Sequence, residues 1–208
     1  MLKIGLTGGI ASGKSTVCTL FEHYNKAPII DADVIARHLA EPDKEAYAEI
    51  VHHFGGEVLQ SDKTLNRKKL RQLIFSDPTA KQALENILHP KIRQQVILQS
   101  QQQQACYIIL AIPLLIESKM YDLVDRILVI DIDPSLQLQR LQQRDNISAY
   151  QAQVMIDAQC SQQQRLAHAD DIIDNNNDAD ALGKQIQLLH QKYIKISNGC
   201  QHSNSHGQ

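Results

Sequence analysis

Cysteine is sparse in this chain. Cys18, Cys106, Cys160 and Cys200 stand far apart in 208 residues. They form no C-x-x-C pair and no zinc-ligand spacing, which argues against a redox motif or a structural zinc site and for reduced thiols. No His/Asn signature accompanies any of them, so a cysteine nucleophile has little support. No apolar run approaches the ~20 residues of a membrane-spanning helix. The first strand-like run starts at residue 2, which leaves no room for a signal peptide. Neither sign of charge dominates: the formal net charge is −2, so no global field points to nucleic acid or a membrane surface. No internal repeat is visible. A soluble, cytoplasmic protein is expected, long enough for one domain with its own core and an inserted subdomain.

Glycine is concentrated where it matters most. Residues 8–16 read Gly-Gly-Ile-Ala-Ser-Gly-Lys-Ser-Thr, matching G-x-x-x-x-G-K-[ST], the phosphate-cradling P-loop. Gly8, Gly9 and Gly13 permit backbone angles closed to residues with a Cβ, so successive N–H groups can turn inward on an anion. A following helix would point its positive end at the same place. Lys14 would place a point charge on the β- and γ-phosphates, and the Ser15 hydroxyl would ligate Mg²⁺. The flanks agree: residues 3–7 read as a buried strand, and Val17, Leu20, Phe21 and Tyr24 have helical spacing. The dinucleotide fingerprint G-x-G-x-x-G fails, because Ile10 stands two residues after Gly8 and no other register fits. Asp31 sits where a ribose-binding acid lies in such folds, but alone it is insufficient.

Strand-like runs recur at 3–7, 27–30, 107–112, 126–130 and 171–173, mostly separated by helical patterns. The alternation predicts an α/β fold with a parallel sheet flanked by helices. Between the second and third runs lie apolar stripes at Leu70/Leu73/Ile74, Leu84/Ile87/Leu88 and Ile92/Val96/Ile97. They predict a helical insertion over about 36–104, with Pro90 breaking it into separate helices. The polar stretch 148–168 reads as a helical lid. Gln101 to Gln104 reads as a solvated helix end. The polar segment 196–208 reads as a disordered tail, in which His202 and His206 could catch a metal.

Several charged residues sit at strand ends, where open α/β sheets place their ligands. The second strand runs into Asp31-Ala32-Asp33, carboxylates suited to proton transfer or a metal, or in Asp33's case to a helix N-cap. Arg140 and Arg144 share a helix face, and two guanidiniums suit a polyphosphate. Arg165 follows in the lid-like stretch. Asp131 ends four apolar residues in a Walker B shape, or else caps the helix near Pro134. His89 and Arg93 flank Pro90, where a phosphate or carboxylate site is plausible.

Together these segments resemble the dephospho-CoA kinase family. The resemblance rests on Thr7-Gly8-Gly9-Ile10 with the rest of the P-loop, Asp31-Ala32-Asp33 with Arg37, and His89-Pro90-Lys91-Ile92-Arg93. It continues in Pro113-Leu114-Leu115-Ile116-Glu117, Gln143-Arg144-Asp145, Ala158-Gln159 and the run from Ala169 to Asn175. It covers the chain to about Tyr193 and implies ATP-dependent phosphorylation of the ribose 3′-hydroxyl of dephospho-CoA. It also implies a nucleotide-kinase fold with a five-stranded parallel sheet, a CoA-binding helical subdomain and a lid. Lys14, Arg140 and Asp33 are the implied catalytic residues, Asp33 as general base. The implied ATP site comprises Gly8, Gly9, Ala11, Ser12, Gly13, Lys14, Ser15 and Thr16 with Arg140, Arg144 and the adenine-proximal Asn175. Asp33, Arg37, His89, Arg93 and Leu114 form the implied acceptor set, Mg²⁺ the metal, and a monomer or weak homo-oligomer the assembly. Ile116 stands where the family has phenylalanine, and Met155 where many members have arginine. A kinase for another small metabolite is the first alternative. A guanine-nucleotide switch is disfavoured because residues 174–178, Asp-Asn-Asn-Asn-Asp, lack the lysine of N-K-x-D. A non-catalytic nucleotide-binding subunit is disfavoured by Lys14, Ser15 and Asp33.

Overall fold

A computed structural model describes residues 1–203, without the side chains of Phe75 and 200–203. Among these residues five strands form one parallel sheet: β1 (Leu2–Thr7), β2 (Ile29–Asp31), β3 (Tyr107–Ala111), β4 (Arg126–Asp131) and β5 (Asp171–Asp174), in the order β2-β3-β1-β4-β5. All five expected strands are present. Register is set by near-continuous apolar runs, as in a sheet covered on both faces: Ile4 lies opposite Ile109 and Leu6 opposite Leu128. The connections leaving neighbours β1 and β4 run in opposite directions, and the crevice at such a switch point is where an open sheet binds its ligand.

The chain divides into two compact units, Met1–Asp31 together with the chain from Gln102, and Ala32–Gln101. In the first, α1 (Lys14–Asn25) and α9 (Ala179–Ser203) bury Val17, Phe21, Leu182, Ile186 and Tyr193 with the apolar residues of β1, β3 and β4. Each such fully buried side chain contributes roughly 2 kcal/mol. The remaining helices of this unit are α6 (Pro134–Asp145), α7 (Ala149–Asp157) and α8 (Gln162–Leu166). Local chemistry sets their starts. Asp133, not Asp131, caps α6, its carboxylate accepting from Ser135 N at 2.8 Å with Pro134 at the first helical position. Ser148 with Gln151, and Ser161 with Gln164, form capping boxes at α7 and α8.

The second unit is α2 (Ala32–Leu39), α3 (Glu45–Phe54), α4 (Arg67–Ser76) and α5 (Pro78–Gln101) around Ile50, Val58, Leu65, Leu70 and Leu84. It spans Ala32–Gln101. Two expectations fail. Pro90 does not split the helices: α5 runs through it for 24 residues. Proline removes the N–H that Asn86 O would accept, but Pro90 is exposed, where water can serve that carbonyl. Packing of α5 on α2, α3 and α4 holds the axis together. Ile92 and Val96 are buried but Ile97 is exposed.

A third correction is at the carboxyl end. Residues 196–203, expected to be disordered, continue α9, while 204–208 and the side chain of His202 lie outside the description. Ser197 is one turn past Tyr193 on the core-facing side; it is buried and donates to Cys106 O at 2.7 Å. A polar residue at a helical interval from an apolar one is easily mistaken for a tail.

A polar cluster ties α9 to the sheet. Asp171 receives Arg126 Nε at 3.0 Å, Lys192 Nζ and the Tyr193 hydroxyl. Burial opposes ionisation of this carboxyl, yet Arg126 and Lys192 outweigh it and hold Asp171 below the usual carboxylate range. The unfolded chain therefore takes up a proton first as pH falls through about 4, so this stabilisation is present above that pH and drains away below it. The Tyr107 hydroxyl, kept protonated by burial, is hydrogen-bonded with His190 Nδ1 at 2.7 Å, and burial lowers the pKa of His190. Its contribution likewise falls as pH drops through about 6.5. Asp171→Asn is expected to cost about 3 kcal/mol, because Arg126 loses its buried partner, and to remove the acid-side drain. Urea denaturation at pH 7 and pH 4 checks this; a loss below 1 kcal/mol at pH 7 would contradict the assignment.

Candidate active site

β1 ends at Thr7, whose hydroxyl donates to Pro113 O at 3.0 Å, and the chain turns at once into the glycine loop. Gly13 adopts φ +95° and Ala11 φ +59°. Ser12 N donates to Gly9 O at 3.0 Å, folding the loop back on itself before α1 begins at Lys14. A Cβ at Gly13 would collide with Asn175 Nδ2, so glycine is required by both angle and space. Asn175 Nδ2 donates to Ser12 O at 2.7 Å, and Arg140 Nη2 donates to Asn175 O at 3.3 Å. Asn175 is thus a buried strut beneath the loop, and Arg140 stands beside the same turn. Arg144 does otherwise: its guanidinium forks onto Asp145 at 2.9 and 3.0 Å on the exposed side of α6. Lys14 Nζ donates to Gly8 O at 3.3 Å, while Ser15 and Thr16 are exposed in the first turn of α1. No acidic side chain occupies that turn, leaving the positive end of the helix for an anion.

Further side chains complete this wall, among them Gln137 and Gln162, to which the sequence assigned no role. Gln137, buried on α6, donates from Nε2 to Ile10 O at 2.8 Å, and Gln159 Oε1 accepts from Ile10 N at 2.8 Å. Both polar groups of one loop residue are therefore held, from α6 and from the segment after α7. Glu117, beyond β3, accepts from Cys160 N at 3.1 Å and pairs with Arg165 at 3.7 Å. Asp131 accepts from Gln162 Nε2. Gln137 does leave one signal: it stands four residues before buried Leu141, on the buried face of α6.

The other expected residues fall as follows. Leu114, half-buried just past β3, accepts from Ser118 Oγ at 2.6 Å. Within the helical unit, Asp33 is exposed in the first turn of α2, and Arg37 Nε donates to its carbonyl at 3.2 Å. Arg67 Nη2 donates to Arg37 O at 3.3 Å. His89 and Arg93 lie half-buried on α5, one turn apart. The intervening Lys91 is spent on Glu45 and Glu49 of α3, at 3.7 and 3.0 Å. Burial, with Asp31 nearby, pushes the Cys18 thiol up to about 12, and burial also raises Cys160. Both are protonated at neutral pH, so neither is an activated nucleophile.

A match to the family model CoaE, dephospho-CoA kinase, spans residues 2–181. The chain is 48% identical over 198 residues to the dephospho-CoA kinase of Coxiella burnetii, covering 95% of this chain and 99% of that one. It is 47% identical over 196 residues to that of Vibrio parahaemolyticus, covering 94% and 96%. The solved dephospho-CoA kinase of Campylobacter jejuni superposes with a TM-score of 0.67 at 31% identity, covering 95% of this chain and 98% of that one.

Proposed function

The chain belongs to the dephospho-CoA kinase family, and on that premise we propose how its own residues perform the transfer. The reaction is ATP-dependent phosphorylation of the ribose 3′-hydroxyl of dephospho-CoA, the last step of coenzyme A biosynthesis. The O3′–Pγ bond forms, the bond from Pγ to the ADP oxygen breaks, and the hydroxyl proton needs an acceptor. Little covalent work falls to the protein, so positioning and charge carry the catalysis. The glycine loop, the positive start of α1 and Lys14 hold the phosphates. Arg140 neutralises charge on the transferred group, with Asn175 bracing the turn beneath it; Arg144 contributes where the nucleotide extends outward. Asp33 takes the proton, and Arg37, His89, Arg93 and Leu114 bind the acceptor.

Mg²⁺ fits the donors present. Ser15 supplies one hard oxygen, and among the described residues no group of three or more His, Cys, Asp or Glu could hold a metal. That suits an ion that takes most of its ligands from phosphate and water. When bound, it neutralises the β- and γ-phosphate oxygens. ATP and dephospho-CoA are the partners; nucleic acid and membranes are not. The proposed setting is the cytoplasm, as a monomer or weak homo-oligomer. No helix among the described residues is long and apolar enough to cross a membrane.

The observation that carries this reading is the loop itself: a left-handed Gly13, Lys14 opening α1, and Arg140 joined to the loop through Asn175 and Ser12. Coupled detection of ADP tests it. Dephospho-CoA is expected to stimulate release strongly, and AMP and adenosine weakly. Equal stimulation by adenosine would point to another small-metabolite kinase, and none by dephospho-CoA would overturn the assignment.

A further inference from the structure

Between Arg144 and Lys184 the sequence holds one Lys or Arg, and it is Arg165. This residue is only 4% exposed. Its partners do not use up the guanidinium. Nη2 donates to Cys160 O at 2.9 Å, Glu117 stands at 3.7 Å, too far for a hydrogen bond, and the buried Nε has no partner. A buried cation with one distant carboxylate and an idle donor is costly unless a second anion completes it.

The surroundings indicate where that anion goes. Arg165 lines a cavity of about 300 Å³ with Gln137, Ile156, Gln159, Cys160 and Gln162. Asp157 also borders it, with its carboxylate engaged by Gln153 Nε2 at 2.8 Å. The cavity abuts the glycine loop: a Cβ at Gly9 would lie 2.6 Å from Gln137 Nε2 and 3.5 Å from Arg165 Nη1. Glycine there keeps open the approach between guanidinium and loop.

We propose that Arg165 is a further phosphate-binding residue, its guanidinium receiving oxygens of the terminal phosphoryl group of ATP at the Gly9 end of the loop. Glu117 holds the arginine in place when that group is absent. This rests on the nucleotide side of the reading above and on none of its acceptor side.

The test compares binding of the β,γ-imido analogue of ATP with binding of ADP, by calorimetry with Mg²⁺ and without acceptor. Arg165→Met is expected to weaken the analogue about tenfold or more while changing ADP less than twofold, and to lower kcat about 100-fold, with partial rescue by Arg165→Lys. Equal weakening of both nucleotides, or none, overturns the proposal. Should the methionine variant fail to fold, Glu117→Gln decides. It keeps an acceptor for Cys160 N but removes the competing charge, so the preference for the analogue over ADP is expected to rise; an unchanged or reduced preference overturns the proposal. If the wild-type protein binds both nucleotides yet leaves dephospho-CoA unmodified, the acceptor assignment fails while the Arg165 comparison stands.

Discussion

Replacing Lys14 by methionine is expected to lower kcat/KM about 1,000-fold, roughly 4 kcal/mol of transition-state stabilisation. Charge on the transferring phosphoryl group spreads over its outer oxygens, and the cradle meets it with fixed amide dipoles and one point charge. Methionine keeps much of the lysine stem and removes that charge. Helix α1 is held by Val17 and Phe21 on the sheet. The thermal midpoint is therefore expected to move by no more than about 1 kcal/mol would move it. Steady-state kinetics alongside a melting curve separate the two effects. A kcat/KM within threefold of wild type would remove Lys14 from the transition state. Arginine is not expected to rescue, because its planar fork does not reproduce a compact ammonium group.

Asp33→Asn is the second large effect. The amide keeps the shape and can still accept a hydrogen bond from the attacking hydroxyl, but it cannot take the proton. A general base contributes typically 10²- to 10⁴-fold, so kcat is expected to fall about 1,000-fold while KM for dephospho-CoA changes little. Stability is expected to change by only about 0.5 kcal/mol, the worth of an exposed carboxylate in a helix first turn. Wild-type kcat in this variant, with unchanged Mg²⁺ dependence, would end the base assignment.

Legibility followed the physics of each feature. The P-loop was plain because its backbone angles demand glycine at set positions, leaving the requirement written in residue types. The five strands were plain because a sheet covered on both faces is apolar along its length. Arg140 and Arg144 looked alike, four apart on one helix. Only the fold turned Arg140 toward Asn175 and left Arg144 to Asp145. Asn175 matched a family position near adenine, and in the structure it braces Ser12 O. Pro90 looked like a helix break because a local rule cannot weigh the packing along α5.

What the sequence by itself determined is the donor chemistry: a glycine loop with Lys14 and Ser15, set between a buried strand and a helix. Loop geometry is local, so nine consecutive residues suffice to specify it. The tertiary structure alone decided which distant side chains complete the cradle. Gln137 and Gln159 hold Ile10 from positions 127 and 149 residues away along the chain, and Arg165 sits buried beside Gly9. A single glutamine or arginine among many carries no periodicity that marks it, and its role exists only once folding removes it from water and leaves it one place to bond.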